Sequence, residues 1–216
     1  MLPRILLTGF KPFGSLSVNP TEQLMHALAA EDFGGAVVET AVLDVDYVQA
    51  EQQFQAAVTR FAPHAILSFG VAGSTDTLRL ERIAVNLDDA GLPDSGGQTR
   101  AGTRIVEQGP VGYWATLDLD ALYAALVEAD LPVRFSNHAG AYLCNHLFYY
   151  GLHLTQGTGV RMGFIHVPPL PEQVTEGGRA KQGLALERLV AAARVCVGVV
   201  ASGALLAVTN PIFAVE

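Results

Sequence analysis

Short apolar runs alternate along the chain with longer stretches of helical period, and that rhythm sets the expected fold. Arg4 to Thr8 (RILLT) reads as a buried strand, followed by the turn-rich loop GFKPFG. Asn19-Pro20-Thr21-Glu22 is a helix start. Asn19 caps free backbone N–H groups, Pro20 fits the first helical position, and Glu22 completes a capping box. A second strand follows over 36–43, a helix over 47–61, and a strand over 64–70 that runs into GVAG. A β-α-β-α-β order predicts parallel strands with helices on both faces. The expected fold class is α/β: a three-layer α/β/α sandwich on a mostly parallel, partly mixed twisted sheet, with 1–216 as a single domain.

Beyond residue 77 the pattern is less regular. LRLERIAVNL reads as one strand whose alternation does not sort into a wet and a dry face, which makes Glu81 a candidate inward carboxylate. From Asp88 to Gly112 the chain is rich in Gly, Pro, Asp and Ser without period, and a loop that long in a compact domain points to a mobile flap or rim. Helices are expected over 118–129, 141–154 and 172–201, and strands over 133–136 and 162–167. Leu189 to Thr209 is nearly apolar enough for a membrane span. Arg194, Gly198 and Ser202-Gly203 interrupt it, so a buried core or interface helix is the expectation.

Composition narrows the function. Of 216 residues half are apolar and only 16% charged, which suits a packed domain and not a disordered chain. The net charge is −8, and with no Lys/Arg cluster this argues against nucleic acid or an anionic membrane as the main partner. Two cysteines, Cys144 and Cys196, cannot form a disulfide framework or a multi-Cys zinc site. The N-terminus has too short an apolar stretch for a signal peptide, so the expected location is the cytoplasm. The low charge and apolar C-terminal helix also favour self-association.

Cys144 lies in SNHAGAYLCNHLFYY, just after a strand and a turn, at the start of a helix. Helix N-termini stabilise thiolates, so Cys144 is either a nucleophile or a small buried hydrophobe. Cys196, inside VCVGVV, reads as structural. A thiolate nucleophile needs an imidazole, and the imidazole needs an orienting carboxylate or amide. His166, near the end of the strand GFIHV, is the best placed histidine, because ligands in parallel α/β sheets bind at strand ends. His138 and His146 flank Cys144 without the short paired spacings of a zinc site, so no metal is expected. Asp88 and Asp89 add carboxylates or form a turn. The glycine loops lack the GxxxxGK[ST] pattern of nucleotide binding.

Four stretches, LLTGFKPFGSLSVNPTEQL, LERIAVNLDDAGLPD, SNHAGAYLCNHLFYYGLH and GFIHVPPLPEQ, resemble the pyroglutamyl peptidase I family of cysteine peptidases, also called pyrrolidone-carboxylate peptidases. The resemblance implies a cytosolic hydrolase, often a homotetramer, that removes N-terminal pyroglutamate from peptides without metal or organic cofactor. It matches Cys144 to the nucleophile, His166 to the general base and acid, and Glu81 to the carboxylate that orients the imidazole. Apolar walls suit a flat, uncharged lactam, and Phe10, Phe13 and Tyr142 can supply them; the resemblance places the loop of Phe10 and Phe13 around the ring with Asn19 helping to bind it, and Gly70 and Val71 can add backbone groups. Asn19 serves equally as the helix cap. One departure stands out: the family segment GQAGGR reads GVAGST here, so Val71 replaces a Gln whose amide offers the lactam a hydrogen bond. That departure keeps open an amidase or esterase of different specificity on the same scaffold; a second alternative is a non-catalytic lactam-binding protein, which would have no need for Glu81, Cys144 and His166 together.

Overall fold

In the computed structural model, which describes residues 2–14, 17–174 and 182–209, the first half of the chain runs β1 (Arg4–Phe10), α1 (Pro20–Leu28), β2 (Val37–Leu43), α2 (Tyr47–Phe61), β3 (Ala65–Val71), β4 (Leu78–Glu81) and β5 (Ile83–Val85). The second half runs β6 (Gly112–Trp114), α3 (Leu119–Glu128), β7 (Val133–Ser136), α4 (Leu143–Thr155), β8 (Arg161–Val167), a 3-10 turn at Pro171–Gln173, and α5 (Leu186–Thr209). Strands β2-β1-β3-β8-β4-β7 form one sheet in that order. The β2-β1-β3-β8 part is parallel; β4 then enters antiparallel to β8 and pairs in parallel with β7. This is the mixed, mostly parallel sheet of an α/β fold.

Strand alternation divides the core in two. Ile5, Leu7, Leu67, Phe69, Leu78, Leu80 and Ile165 face α1, α3 and α5, while Leu6, Ile66, Met162 and Phe164 face α2 and α4. Ile5–Phe10 and Ala65–Gly70 are buried throughout, as central strands covered on both faces must be. Cys196 lies in the first of these cores, and burial pushes its thiol pKa up to about 12, so it behaves as a small hydrophobe.

Four expectations need correction. LRLERIAVNL is not one strand: the chain turns at Arg82, leaving β4 in the main sheet and sending β5 to pair with β6 in a separate two-stranded sheet. That turn explains the unsorted alternation, because the two halves answer to different partners. The segment 88–112 is no free flap. Asp88 and Thr103 bridge, Asp94 accepts the N–H of Tyr47 (3.0 Å), and the N–H of Ser95 bonds the carbonyl of Val45 (2.8 Å), so polar residues that read as loop are spent holding it down. Helix α5 begins only at Leu186; 171–173 form a separate turn, 182–185 are not helical, and 175–181 lie outside the described residues. At α1, Asn19 caps as expected through the N–H of Thr21 (2.9 Å), but among the described residues no bond returns from Glu22 to complete a capping box. Instead the Thr21 hydroxyl donates to Asn19, and the Asn19 amide donates to the carbonyl of Lys11 (3.0 Å). Among the described residues no helix is long and apolar enough to cross a membrane.

Helix α1 packs tightly on β1 at Gly9, where a Cβ would stand 2.6 Å from the carbonyl oxygen of Thr21. Backbone cannot yield as a side-chain tip can. Gly9→Ala is expected to destabilise the fold by about 1–3 kcal/mol through overpacking, read as a lower denaturant midpoint in urea unfolding.

Candidate active site

The site forms where the C-terminal ends of β3 and β8 meet the first turn of α4. Cys144 is the second residue of α4. Its helix is capped by Tyr142 without a side-chain cap bond, so first-turn N–H groups remain open beside the thiol. Gly70, at the end of β3, lies directly against it: a Cβ there would stand 2.8 Å from Cys144 Sγ. Only a residue without a side chain lets the thiol settle over the sheet edge.

His166 comes from β8. Its Nδ1 lies 2.8 Å from Glu81 Oε1, and Cys144 lies close enough to act on its protonation. With Nδ1 engaged by the carboxylate, Nε2 is left for the sulfur. Glu81 stands opposite Phe164 in the β4/β8 register and reaches His166 diagonally, two residues along the same face. Glu81 is fully buried and His166 is 6% exposed. Burial disfavours the imidazolium, but Cys144 and Glu81 beside it outweigh that penalty and raise the pKa of His166 to about 9.

Beside Cys144 opens a pocket of about 150 Å³ lined by Phe10, Phe13, Asn19, Val45, Val71, Tyr142 and Leu143. Five of the six residues expected around the lactam therefore line one cavity, and the sixth, Gly70, touches the sulfur that borders it. The Tyr142 ring packs on Phe13 and Tyr47, and its hydroxyl donates to the carbonyl of Pro93 (3.0 Å), so the segment after Asp88 braces the pocket wall. A larger cleft of about 690 Å³ between α3 and α5 carries none of the candidate residues. Among the described residues no group of His, Cys, Asp and Glu side chains is arranged to hold a metal ion.

Sequence reasoning did not find the second polar network. His146, fully buried on α4, bonds Asp88 through Nδ1 (2.9 Å) and Glu51 through Nε2 (2.8 Å), while Arg100 pairs with Asp88 (2.9 Å) and stacks over Tyr47. Asp89, the other carboxylate singled out, accepts the N–H of Gly102. The signal available was a histidine two residues past Cys144 and an acidic pair in a loop, but nothing in the spacing joins 51, 88, 100 and 146. This network ties α2, α4 and the 88–103 arm together behind the pocket.

Residues 3–203 match the sequence pattern of a family described as pyroglutamyl peptidase. Among similar proteins, a pyrrolidone-carboxylate peptidase of Gloeobacter violaceus is 40% identical over 185 residues, covering 84% of this chain and 90% of that one. One from Vibrio parahaemolyticus is 33% identical over 183 residues, covering 85% and 86%. Among solved structures, the pyrrolidone carboxyl peptidase of Thermococcus litoralis superposes with a TM-score of 0.90 at 32% identity, covering 100% of each chain. Pyroglutamyl peptidase I of Bacillus amyloliquefaciens gives 0.86 at 30% identity, covering 93% of this chain and 97% of that one.

Burial disfavours the His146 cation, yet its bonds to Asp88 and Glu51 prevail and its pKa is raised. A raised pKa contributes stability that is complete below the unfolded value, about 6.5, and is lost as pH climbs through the folded one. Removing one carboxylate should therefore matter most in mild acid. The melting temperature of Glu51→Gln is expected to lie below wild type near neutrality and to converge on it as pH rises into the alkaline range. A gap independent of pH would show that His146 carries no charge in the fold.

Proposed function

The chain belongs to the pyroglutamyl peptidase family, and from that membership we propose that Cys144, His166 and Glu81 are the groups that carry out its reaction. The reaction itself is hydrolysis of the bond joining an N-terminal pyroglutamyl group to the rest of a peptide. One observation carries the assignment: a fully buried carboxylate bonds an imidazole that a cysteine sulfur influences, and that sulfur borders a lactam-sized, largely apolar pocket.

The steps follow from the geometry. His166 takes the thiol proton of Cys144 on Nε2, and Glu81 holds Nδ1–H so that the imidazolium is stabilised and aimed. The sulfur attacks the pyroglutamyl carbonyl carbon, and the negative oxygen that forms turns to the open N–H groups at the start of α4. Collapse of this intermediate breaks the C–N bond, and His166 returns its proton to the departing amine. Water, losing its proton to His166, then cleaves the thioester, releasing pyroglutamate and the free thiol. The roles of Phe10, Phe13, Val71 and Tyr142 are to wall the lactam, with Asn19 bordering it and Gly70 admitting the sulfur. The pair Glu81 and His166 supports catalysis over the lactam-binding alternative, since a binder has no use for a buried carboxylate aimed at an imidazole. With this reading go a cytoplasmic setting, one catalytic domain and a homotetramer, self-association being supported by Val195 and Val199 along the α3–α5 cleft.

The deciding experiment is release of a chromogenic amine from a pyroglutamyl amide. Cys144→Ala is expected to lower kcat by at least about a thousandfold, and Cys196→Ala to stay within roughly threefold of wild type. Turnover surviving in Cys144→Ala would remove that residue from the mechanism.

Val71 deprives the pocket of a side-chain amide. Val71→Gln is expected to raise kcat/KM on pyroglutamyl amides by about tenfold to a hundredfold, relative to the same ratio on prolyl amides. An unchanged or lower ratio would mean that backbone groups near Gly70 already bind the lactam.

A further inference from the structure

The order of strands across the sheet puts the two halves of a substrate on opposite sides of the catalytic line. The lactam pocket sits over the ends of β1 and β3, where Phe10 and Val71 stand, and Cys144 and His166 lie at β3 and β8. A peptide whose pyroglutamyl ring fills that pocket must leave past His166, toward β4 and β7. There the register forms a row. Arg79 of β4 stands directly opposite His166 of β8, and Arg134 of β7 stands level with Arg79. Opposed residues of neighbouring strands share a face. It is the face toward α4, because the alternate residues Leu78, Leu80, Val133 and Phe135 pack into the opposite core.

Both guanidiniums are short of partners. Arg79 is half-buried; its Nη2 donates to the carbonyl of Ser74 (3.3 Å), and its Nε is buried with no partner among the described residues. Arg134 is exposed. Although the chain carries 21 carboxylates against 13 basic side chains, neither arginine forms an ion pair among the described residues. Burial and the charge of Arg134 lower the pKa of Arg79, with Glu81 offsetting them only in part. An anion delivered between the two cations would relieve the repulsion and satisfy the buried Nε.

We propose that Arg79 and Arg134 form a carboxylate-binding subsite for the residue that follows pyroglutamate, so that the enzyme prefers substrates with a negative charge immediately beyond the scissile bond. The proposal rests on the assignment of Cys144 and His166 to the reaction. The carboxylate has two sources, the C-terminus of a pyroglutamyl dipeptide or the side chain of an acidic residue. Planar, doubly donating guanidinium groups suit either.

Two substrate pairs separate the sources. Pyroglutamyl-alanine against its C-terminal amide tests the chain end, and pyroglutamyl-glutamate amide against pyroglutamyl-glutamine amide tests the side chain. At low ionic strength kcat/KM is expected to favour the charged member of at least one pair by roughly fivefold to tenfold, the advantage shrinking as salt is added. In Arg79→Gln and in Arg134→Gln that ratio should fall toward one. Because each ratio is taken within one variant, a general loss of activity cancels. Arg134 is exposed, so its variant decides the matter if Arg79→Gln does not fold. Ratios near one in the wild type, or ratios that persist in the variants, would overturn the subsite. A wild type that cleaves neither neutral amide would instead sink the catalytic assignment, and this one with it.

Discussion

The bond between Glu81 and His166 constrains the whole arrangement. A carboxylate with no exposed surface is costly unless a hydrogen-bonded, opposite charge meets it, and the imidazole of β8 is that charge. For Glu81 to reach His166, β4 must enter the sheet antiparallel to β8, which breaks an otherwise parallel order. Past Arg82 the chain leaves this sheet, and Ile83 to Val85 pair with β6 instead. The antiparallel entry of β4 goes with the polar contact, and the turn at Arg82 with the separate pairing of β5.

Cys144 is placed by a different device, the absence of side-chain volume. Gly70 lets the first turn of α4 approach the sheet edge closely enough for Cys144 to meet the imidazole. The same helix turn carries Tyr142 into the pocket wall and His146 into the polar network behind it. One helix start therefore sets Cys144, the Tyr142 wall of the pocket and the His146 brace together, and the 88–103 arm is held down because Asp88 and Pro93 each bond to that helix or its cap.

The two networks divide the labour by solvent access. At His166 the ring bonds Glu81 through Nδ1, and Cys144 beside it is only half-buried. Around His146 both ring nitrogens are saturated by carboxylates, and Arg100 closes the outer side of Asp88. A histidine bonded at both nitrogens has no lone pair with which to accept a proton, so proximity to Cys144 in sequence does not make His146 a base.

Much of this was legible in the sequence, where the physics is local. The buried strands, the Asn19 cap and the position of Cys144 at a helix start follow from periodicity and from the needs of free backbone N–H groups. So did Cys196 as core, from its apolar neighbours. Tertiary structure alone decided what depends on register and on contacts between distant segments. The sequence did not separate β4 from β5, because the partners that pull them apart lie at 112–114 and 161–167. Nor did it join Glu51, Asp88, Arg100 and His146, or set Arg79 beside His166 and Arg134. A strand's own pattern tells which residues share a face, but not which strand will lie beside it, and pairing across 50 to 90 positions is fixed only when the whole sheet closes.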